Sequence, residues 1–209
     1  MKSYLVKSPW WLKKLYGKYT WSVKTKEKIV YLTFDDGPHA LATPFVLDEL
    51  KKTEAKATFF CIGKNVLEEP SLYRRILDEG HSVGNHTQNH LNGWKSDNKV
   101  YLTDVAEASR HIDSNLFRPP YGRISAFQAA GLASAMKQPL VKVVMWDVLS
   151  ADFDTELTGE QCLKNVILNI EPGSIVVMHD SQKAWERLAY FLPLLLGYLK
   201  NNGFRAEKL

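Results

Sequence analysis

The chain has 209 residues, 45% hydrophobic and 24% charged, with a formal net charge of +4. That is ordinary globular composition, long enough for one sizeable core and too short for two comfortable ones. Much of the basic excess comes from lysines before residue 29, and no basic stripe with interleaved aromatics recurs through the body, which excludes a nucleic-acid footprint.

Residues 1–27 are basic and aromatic with a weak helical pattern, and read as an N-terminal extension carrying Lys2, Lys7, Lys13 and Lys14. Lys13 and Lys14 interrupt its apolar residues, so it lacks the uninterrupted apolar run and small-residue cleavage site of an export signal. No stretch approaches transmembrane length. The expectation is a soluble, cytoplasmic protein, extracytoplasmic if a leader is missing from the sequence or export is non-standard. Trp10-Trp11-Leu12 beside Lys13-Lys14 could touch a membrane surface, but packing of these aromatics on the domain is the expectation.

From Lys28 onward strands and helices alternate. Ile29-Val30-Tyr31-Leu32 reads as a buried parallel strand, closed by Thr33-Phe34-Asp35-Asp36-Gly37-Pro38. Thr43-Pro44 reads as an N-cap with proline at the first helical position. Ala57 to Ile62 is the second strand, Pro70 to Glu79 a helix stopped by Gly80, and His81 to His86 a short strand entering a polar loop. A helix is predicted over 98–115, a short strand at Leu116-Phe117-Arg118 stopped by Pro119-Pro120, and a helix capped by Ser125 reaching about Lys137. Val141 to Trp146 is a buried strand, Glu160 to Asn169 a helix, Ser174 to His179 a strand. Trp185 to Lys200 is a helix that Pro193 starts or kinks, and Phe204 to Glu207 a last strand. Cys61 and Cys162 read as free buried thiols. Several βα units in one domain predict an α/β barrel or doubly wound sheet, and five or more units favour the barrel.

The polar groups gather where strands end, the edge at which such folds build their sites. Asp35 and Asp36 are adjacent, and successive strand side chains point to opposite faces. Both can therefore converge only if the strand breaks there, which Gly37-Pro38 allows. In His86-Thr87-Gln88-Asn89-His90, two histidines spaced i and i+4 on a helical turn would share a face and could hold one cation. With Asp36 as third ligand, two histidines and one carboxylate leave a position open for water. In Arg118-Pro119-Pro120-Tyr121-Gly122, the proline pair fixes the loop and the guanidinium can hold a carboxylate in a fixed orientation. Trp146-Asp147-Val148-Leu149-Ser150-Ala151-Asp152-Phe153-Asp154 is an acidic and aromatic loop. His179 ends an apolar strand at the same edge and is a candidate acid.

Taken in order, these five stretches resemble the five motifs of the polysaccharide deacetylase family, the NodB-homology domain of carbohydrate esterase family four. The resemblance spans residues 28 to 207. It implies a distorted (β/α) barrel, often seven-stranded, and makes 28–209 a catalytic domain. It implies that Asp36, His86 and His90 bind a divalent metal, usually zinc, with Co2+, Ni2+ or Mn2+ as substitutes. By the same resemblance Asp35 is the general base, Arg118 pairs with and tunes it, and the backbone N–H of Tyr121 helps hold the oxyanion. His179 is the general acid with Asp152 holding its imidazole, while Trp146, Phe153 and Val177 line a pocket for the acetyl methyl.

Leu149 stands where many members carry an acidic residue, and Phe153 where tryptophan is common. Asp147 and Asp154 therefore stay open as partners of His179. The implied activity is metal-dependent hydrolysis of N-acetyl groups on amino sugars of a glycan, peptidoglycan or a chitin-like oligomer. Alternatives are an O-acetyl esterase on a polysaccharide such as xylan, a non-catalytic glycan-binding domain, or hydrolysis of amides in small heterocycles. The expected partner is an acetylated glycan or oligosaccharide, not nucleic acid, and the expected state a monomer.

Overall fold

Strand β1 (Ile29–Asp35) lies at the centre of the architecture, and its alternation sorts the chain into two layers. Val30, Leu32 and Phe34 enter the main core between sheet and helices, while Tyr31, Thr33 and Asp35 face the inside of the curled sheet. The structure of the protein, a computed structural model, describes residues 5–209. Residues 1–4 of the expected extension, Lys2 among them, lie outside the described residues.

The other strands are β2 (Ala57–Cys61), β3 (Ser82–Asn85), β4 (Leu116–Phe117), β5 (Lys142–Val143), β6 (Val148–Leu149), β7 (Ile175–His179) and β8 (Arg205–Ala206). Seven of them run in the order β5-β4-β3-β2-β1-β7-β6, all pairings parallel, and form a curled half-barrel; β8 pairs off that path with the start of β1. The distorted barrel expected from the sequence is therefore present. Its helices are α1 (Trp10–Leu15), α2 (Ala42–Lys52), α3 (Gly63–Glu68), α4 (Pro70–Asp78), α5 (Asn98–Ala108), α6 (Ala126–Met136), α7 (Gly159–Ile167) and α8 (Trp185–Asn201). The main core packs β1, β2 and β7 against α2, α7 and α8 through residues such as Phe34, Phe59, Leu47, Val166, Phe191 and Leu195. Each such fully buried side chain contributes about 1.5–3 kcal/mol by leaving water.

The half-barrel is open between β5 and β6, and the N-terminal segment spans the gap. Thr20 bridges to Val144, Lys7 to Val148 and Ser22 to Ser174. Ser8 N–H donates to Asp147 O at 2.8 Å and Met145 N–H to Thr20 O at 2.8 Å. Of the expected Val141–Trp146 strand, Lys142–Val143 pairs in register with β4, Val144 N–H adds a last bond to Phe117 O at 2.8 Å, and Met145 N–H turns to Thr20 O on the segment.

Four expectations need correction. Trp10 and Trp11 do not pack on the domain; they are 75% and 52% exposed, because Leu12 and Lys13 take the inner side of α1. Thr43 is not the cap of α2 but sits in its first turn, where its hydroxyl accepts from His39 N–H and donates to Asp180. The helix predicted over 98–115 ends at Ala108. Ser109 takes a hydrogen bond from Asn85 and Ser114 donates to Val83 O, drawing the chain toward β4. Residues 86–90 form a bent loop without helical hydrogen bonding.

Candidate active site

The C-terminal ends of β1, β3 and β7, with the loops after β4 and β6, converge on one cavity of about 520 Å³. Asp35, Asp36, His86, His90, Tyr121, Arg123, Trp146, Leu149, Phe153, Val177, His179 and Lys183 line it. Every candidate side chain named from the sequence lies at this cavity or directly behind it, Arg118 and Asp152 being the two behind.

The two adjacent aspartates diverge because the strand ends between them. Asp35 keeps strand geometry and points into the barrel, whereas Asp36 adopts a left-handed backbone with φ 78° that swings its carboxylate to the histidine side. Gly37 follows because a Cβ there would stand 2.0 Å from an Asp180 oxygen. Left-handed, non-glycine backbone recurs at Thr87, His90, Tyr121 and Ala151, all in loops of this site, and such conformations persist only where the surroundings hold them.

Asp35 pairs with Arg118, whose Nη1 donates to Asp35 Oδ1 at 2.6 Å and to Thr33 Oγ1 at 2.7 Å. The guanidinium is wholly buried. It lies 4.1 Å over the Phe60 ring and donates further to the Val144 and Met145 carbonyls. Burial pulls its pKa down and the Asp35 charge opposes that pull.

On the other side, Asp36, His86 and His90 each offer a ligand atom within 4.8 Å of the others, the one such group among the described residues. Asp36 Oδ1 lies 3.1 Å from His90 Nε2 and 3.6 Å from His86 Nε2, yet this buried oxygen has no aligned hydrogen-bond donor. An orphaned carboxylate oxygen facing two imidazole nitrogens fits a divalent cation. Burial opposes charge on Asp36, but the close His90 imidazole and the charge of His179 hold its carboxyl well below the usual carboxylate range. His86 Nδ1 meets the Arg118 carbonyl at 2.7 Å, so it carries the proton and leaves Nε2 free to face Asp36. Burial pushes the His86 pKa down to about 4, which keeps the ring neutral and able to ligate.

At the far wall, His179 Nδ1 lies 2.7 Å from Asp152 Oδ1, and the His179 backbone N–H donates to Asp152 Oδ2 at 2.8 Å. Burial alone would depress this imidazole, but the Asp152 charge and hydrogen bond outweigh it and raise the pKa to about 9. The other two acids of that loop are engaged elsewhere. Asp147 binds Lys7 and Lys13, and Asp154 accepts from the Glu156 N–H. Phe153 packs edge-on to the His179 ring at 5.3 Å.

Sequence reasoning missed three supporting residues. Asp104 on α5 accepts from the Gln88 and Asn89 N–H groups at 2.9 and 3.0 Å and from Asn89 Nδ2 at 2.6 Å, fixing the loop between the two histidines. Arg187 on α8 donates to the Asp152 carbonyl at 2.6 Å. Asp180 lies buried behind the Asp35–Gly37 turn, and burial pushes its pKa up to about 8. Asp104 and Arg187 lie outside the five motifs, on helices whose periodicity says only that they pack. Asp180 adjoins a motif, but its role depends on the turn packed against it.

Comparison with known proteins agrees with this geometry. Residues 22–137 match the polysaccharide deacetylase family. The chain is 36% identical over 197 residues to a peptidoglycan-N-acetylglucosamine deacetylase of Bacillus cereus, covering 90% of each chain. It is 38% identical over 158 residues to a chitooligosaccharide deacetylase of Bradyrhizobium, covering 72% of this chain and 70% of that one. The crystal structure of the Bc1960 peptidoglycan N-acetylglucosamine deacetylase superposes with a TM-score of 0.85 at 30% identity, over 97% of this chain and 95% of that one. The chain belongs to the polysaccharide deacetylase family.

Proposed function

We propose that the protein removes acetyl groups from N-acetylglucosamine units of a glycan, peptidoglycan or a chitin-like oligomer, with a divalent metal. The observation that carries the reading is the meeting of three units in one cavity: Asp35 with Arg118, Asp36 with His86 and His90, and His179 with Asp152. The relatives named as deacetylases of N-acetylglucosamine polymers support it.

Asp36, His86 and His90 would hold the metal, zinc being the reading for its identity, and the bound ion supplies Lewis acidity toward an acetamide carbonyl and toward water. Asp35 accepts the proton of the attacking water, and Arg118 holds that carboxylate in a fixed orientation. His179 gives its proton to the departing nitrogen, and Asp152 fixes both the tautomer and the ring. The Tyr121 backbone N–H is assigned to the oxyanion. Trp146, Phe153 and Val177 enclose the acetyl methyl and exclude water. The proton-charged His179–Asp152 pair favours an amide over an O-acetyl ester, because an amine must be protonated to leave and an alkoxide is the better leaving group of the two.

Acetate release from N-acetylated oligosaccharides, N-acetylated peptidoglycan and acetylated xylan, with chelator and then with added zinc, tests the proposal. Release from the first two that chelator abolishes and zinc restores is the expected result. Release from xylan alone transfers the activity to esters, and no release from any of them transfers it to binding.

A further inference from the structure

Helix α1 turns its apolar side chains outward. At 3.6 residues per turn, Trp10, Lys14, Trp11 and Leu15 fall within one arc of about 140°, opposite Leu12 and Lys13. The inner pair fixes the helix: Leu12 packs on the core cluster around Trp21 and Phe117, and Lys13 pairs with the buried Asp147. Trp10, Trp11 and Leu15 are left 75%, 52% and 69% exposed. Exposed Tyr16 follows them, its carbonyl accepting from Trp21 Nε1 at 3.2 Å. A single apolar side chain on a surface needs no explanation, but two tryptophans and a leucine side by side on a held helix mark a contact surface.

The charge around this face has one sign. Residues 5–26 carry six lysines and neither Asp nor Glu. Lys7 and Lys13 bind Asp147, whereas Lys14 and Lys18 are exposed and have no carboxylate partner among the described residues. Residues 1–28 hold eight lysines against one glutamate, a net +7, and residues 29–209 hold 19 basic and 22 acidic side chains, a net −3. The molecule is therefore polarised, and a negatively charged surface would orient it with the tryptophan-bearing segment inward.

A bilayer interface matches both properties. Indole rings settle at headgroup level, and lysines beside them meet lipid phosphates. Six helical residues span only about 9 Å, so the helix lies on such a surface and does not cross it. A second copy seated on the same face would bring Lys14 and Lys18 against lysines, with no carboxylate in residues 5–26 to separate them.

We infer that the outer face of α1 docks the protein on an anionic lipid bilayer. Leu12 and Tyr16 line a recess with Tyr121, Arg123 and Trp146, and those last three also line the catalytic cavity. Docking through α1 thus holds that cavity beside the lipid surface. The inference stands apart from the deacetylase reading, because binding is read without activity.

The test is co-sedimentation of the full chain with phosphatidylcholine vesicles, with and without phosphatidylglycerol. The protein should bind the anionic vesicles at low salt, leave them at about 0.5 M salt, and ignore phosphatidylcholine alone. Trp10→Ala with Trp11→Ala should weaken partitioning about tenfold, and Lys14→Glu with Lys18→Glu should remove the preference for phosphatidylglycerol. Lipid brominated on its chains should quench the wild-type tryptophan fluorescence more than that of the double alanine variant.

No binding to anionic vesicles would overturn the inference, as would binding that neither double variant weakens. Binding lost in the lysine variant but kept in the tryptophan variant would overturn contact through the aromatic face. Self-association that the tryptophan variant abolishes, without vesicle binding, would assign the face to a second copy.

Discussion

At the residue scale, the site depends on giving neighbouring groups of one type different environments. Asp35 is neutralised by a buried guanidinium, whereas Asp36 faces two imidazoles, and the φ of 78° at Asp36 is what separates them. His86 and His179 show the same principle among histidines: burial drives one down to about 4, and Asp152 carries the other up to about 9. A raised histidine pKa means that the charged acid form is present at neutral pH and disappears as pH rises through about 9. The stability it contributes is likewise full below the ordinary value of 6.5 and lost as pH rises through about 9. Asp152→Asn should therefore lower kcat by about 10²–10⁴-fold and move the alkaline fall of the kcat profile down toward 6.5. An unmoved alkaline limb would remove Asp152 from the pair. Asp104 acts one step further out, through the loop amides. Asp104→Ala should leave the fold intact and weaken zinc binding about 10–100-fold, read by competition with a chromophoric chelator. Equal zinc affinity in the variant would show that the histidine loop holds itself.

At the scale of elements, the sequence was most legible where apolar periodicity and strand ends coincide. The runs around β1, β2 and β7 were readable because parallel strands covered on both faces are continuous apolar stretches. Their ends then located Asp35, Asp36 and His179. The short strands were less legible, because β5 and β6 are two residues long and their hydrogen bonds are completed by the N-terminal segment, a long-range fact. The His86–His90 spacing read as a helical turn, yet left-handed backbone at Thr87 and His90 brings the rings to 5.1 Å within a loop. The choice of Asp152 over Asp147 as partner of His179 depended on which carboxylate the N-terminal lysines reach, and no local pattern carries that. Arg118 projects from the end of β4 into the barrel interior, where its charge balances that of Asp35. Arg118→Met would leave the Asp35 carboxylate buried and alone, at a cost of about 3–5 kcal/mol in urea unfolding. Adding Asp35→Asn should recover part of that loss, since the uncompensated charge goes with it. A double variant no more stable than the single would show that the loss lies in packing against Phe60.

For the whole molecule, the open side of the half-barrel is the structural problem, and Asp147 is the residue that solves it. Its carboxylate is fully buried between β5 and β6, accepting from Lys7 at 2.6 Å, from Ser174 at 2.6 Å and from Lys13. Its backbone joins the same seam, the carbonyl taking the Ser8 N–H and the N–H donating to Ile175 O at 2.9 Å. One residue thus ties the N-terminal segment, the loop carrying Trp146 and the start of β7. Burial opposes the charge on Asp147, but the hydrogen bonds from Lys13, Lys7 and Ser174 prevail and lower its pKa below 3.8. A depressed carboxylate contributes stability above its unfolded pKa and loses it as pH falls through the folded value, so this seam should weaken as pH falls below 3.8. Asp147→Ala takes the carboxylate from Lys13 and Ser174 and leaves Lys7 with Glu171 and the Asn169 carbonyl alone, and should lower the unfolding free energy by about 3 kcal/mol. Hydrogen exchange would localise the effect. Amides of residues 6–23 should exchange faster in the variant while those of β1 and β2 keep their protection relative to global unfolding. Uniform acceleration across the sheet would mean that the segment folds as one unit with the barrel and cannot open by itself.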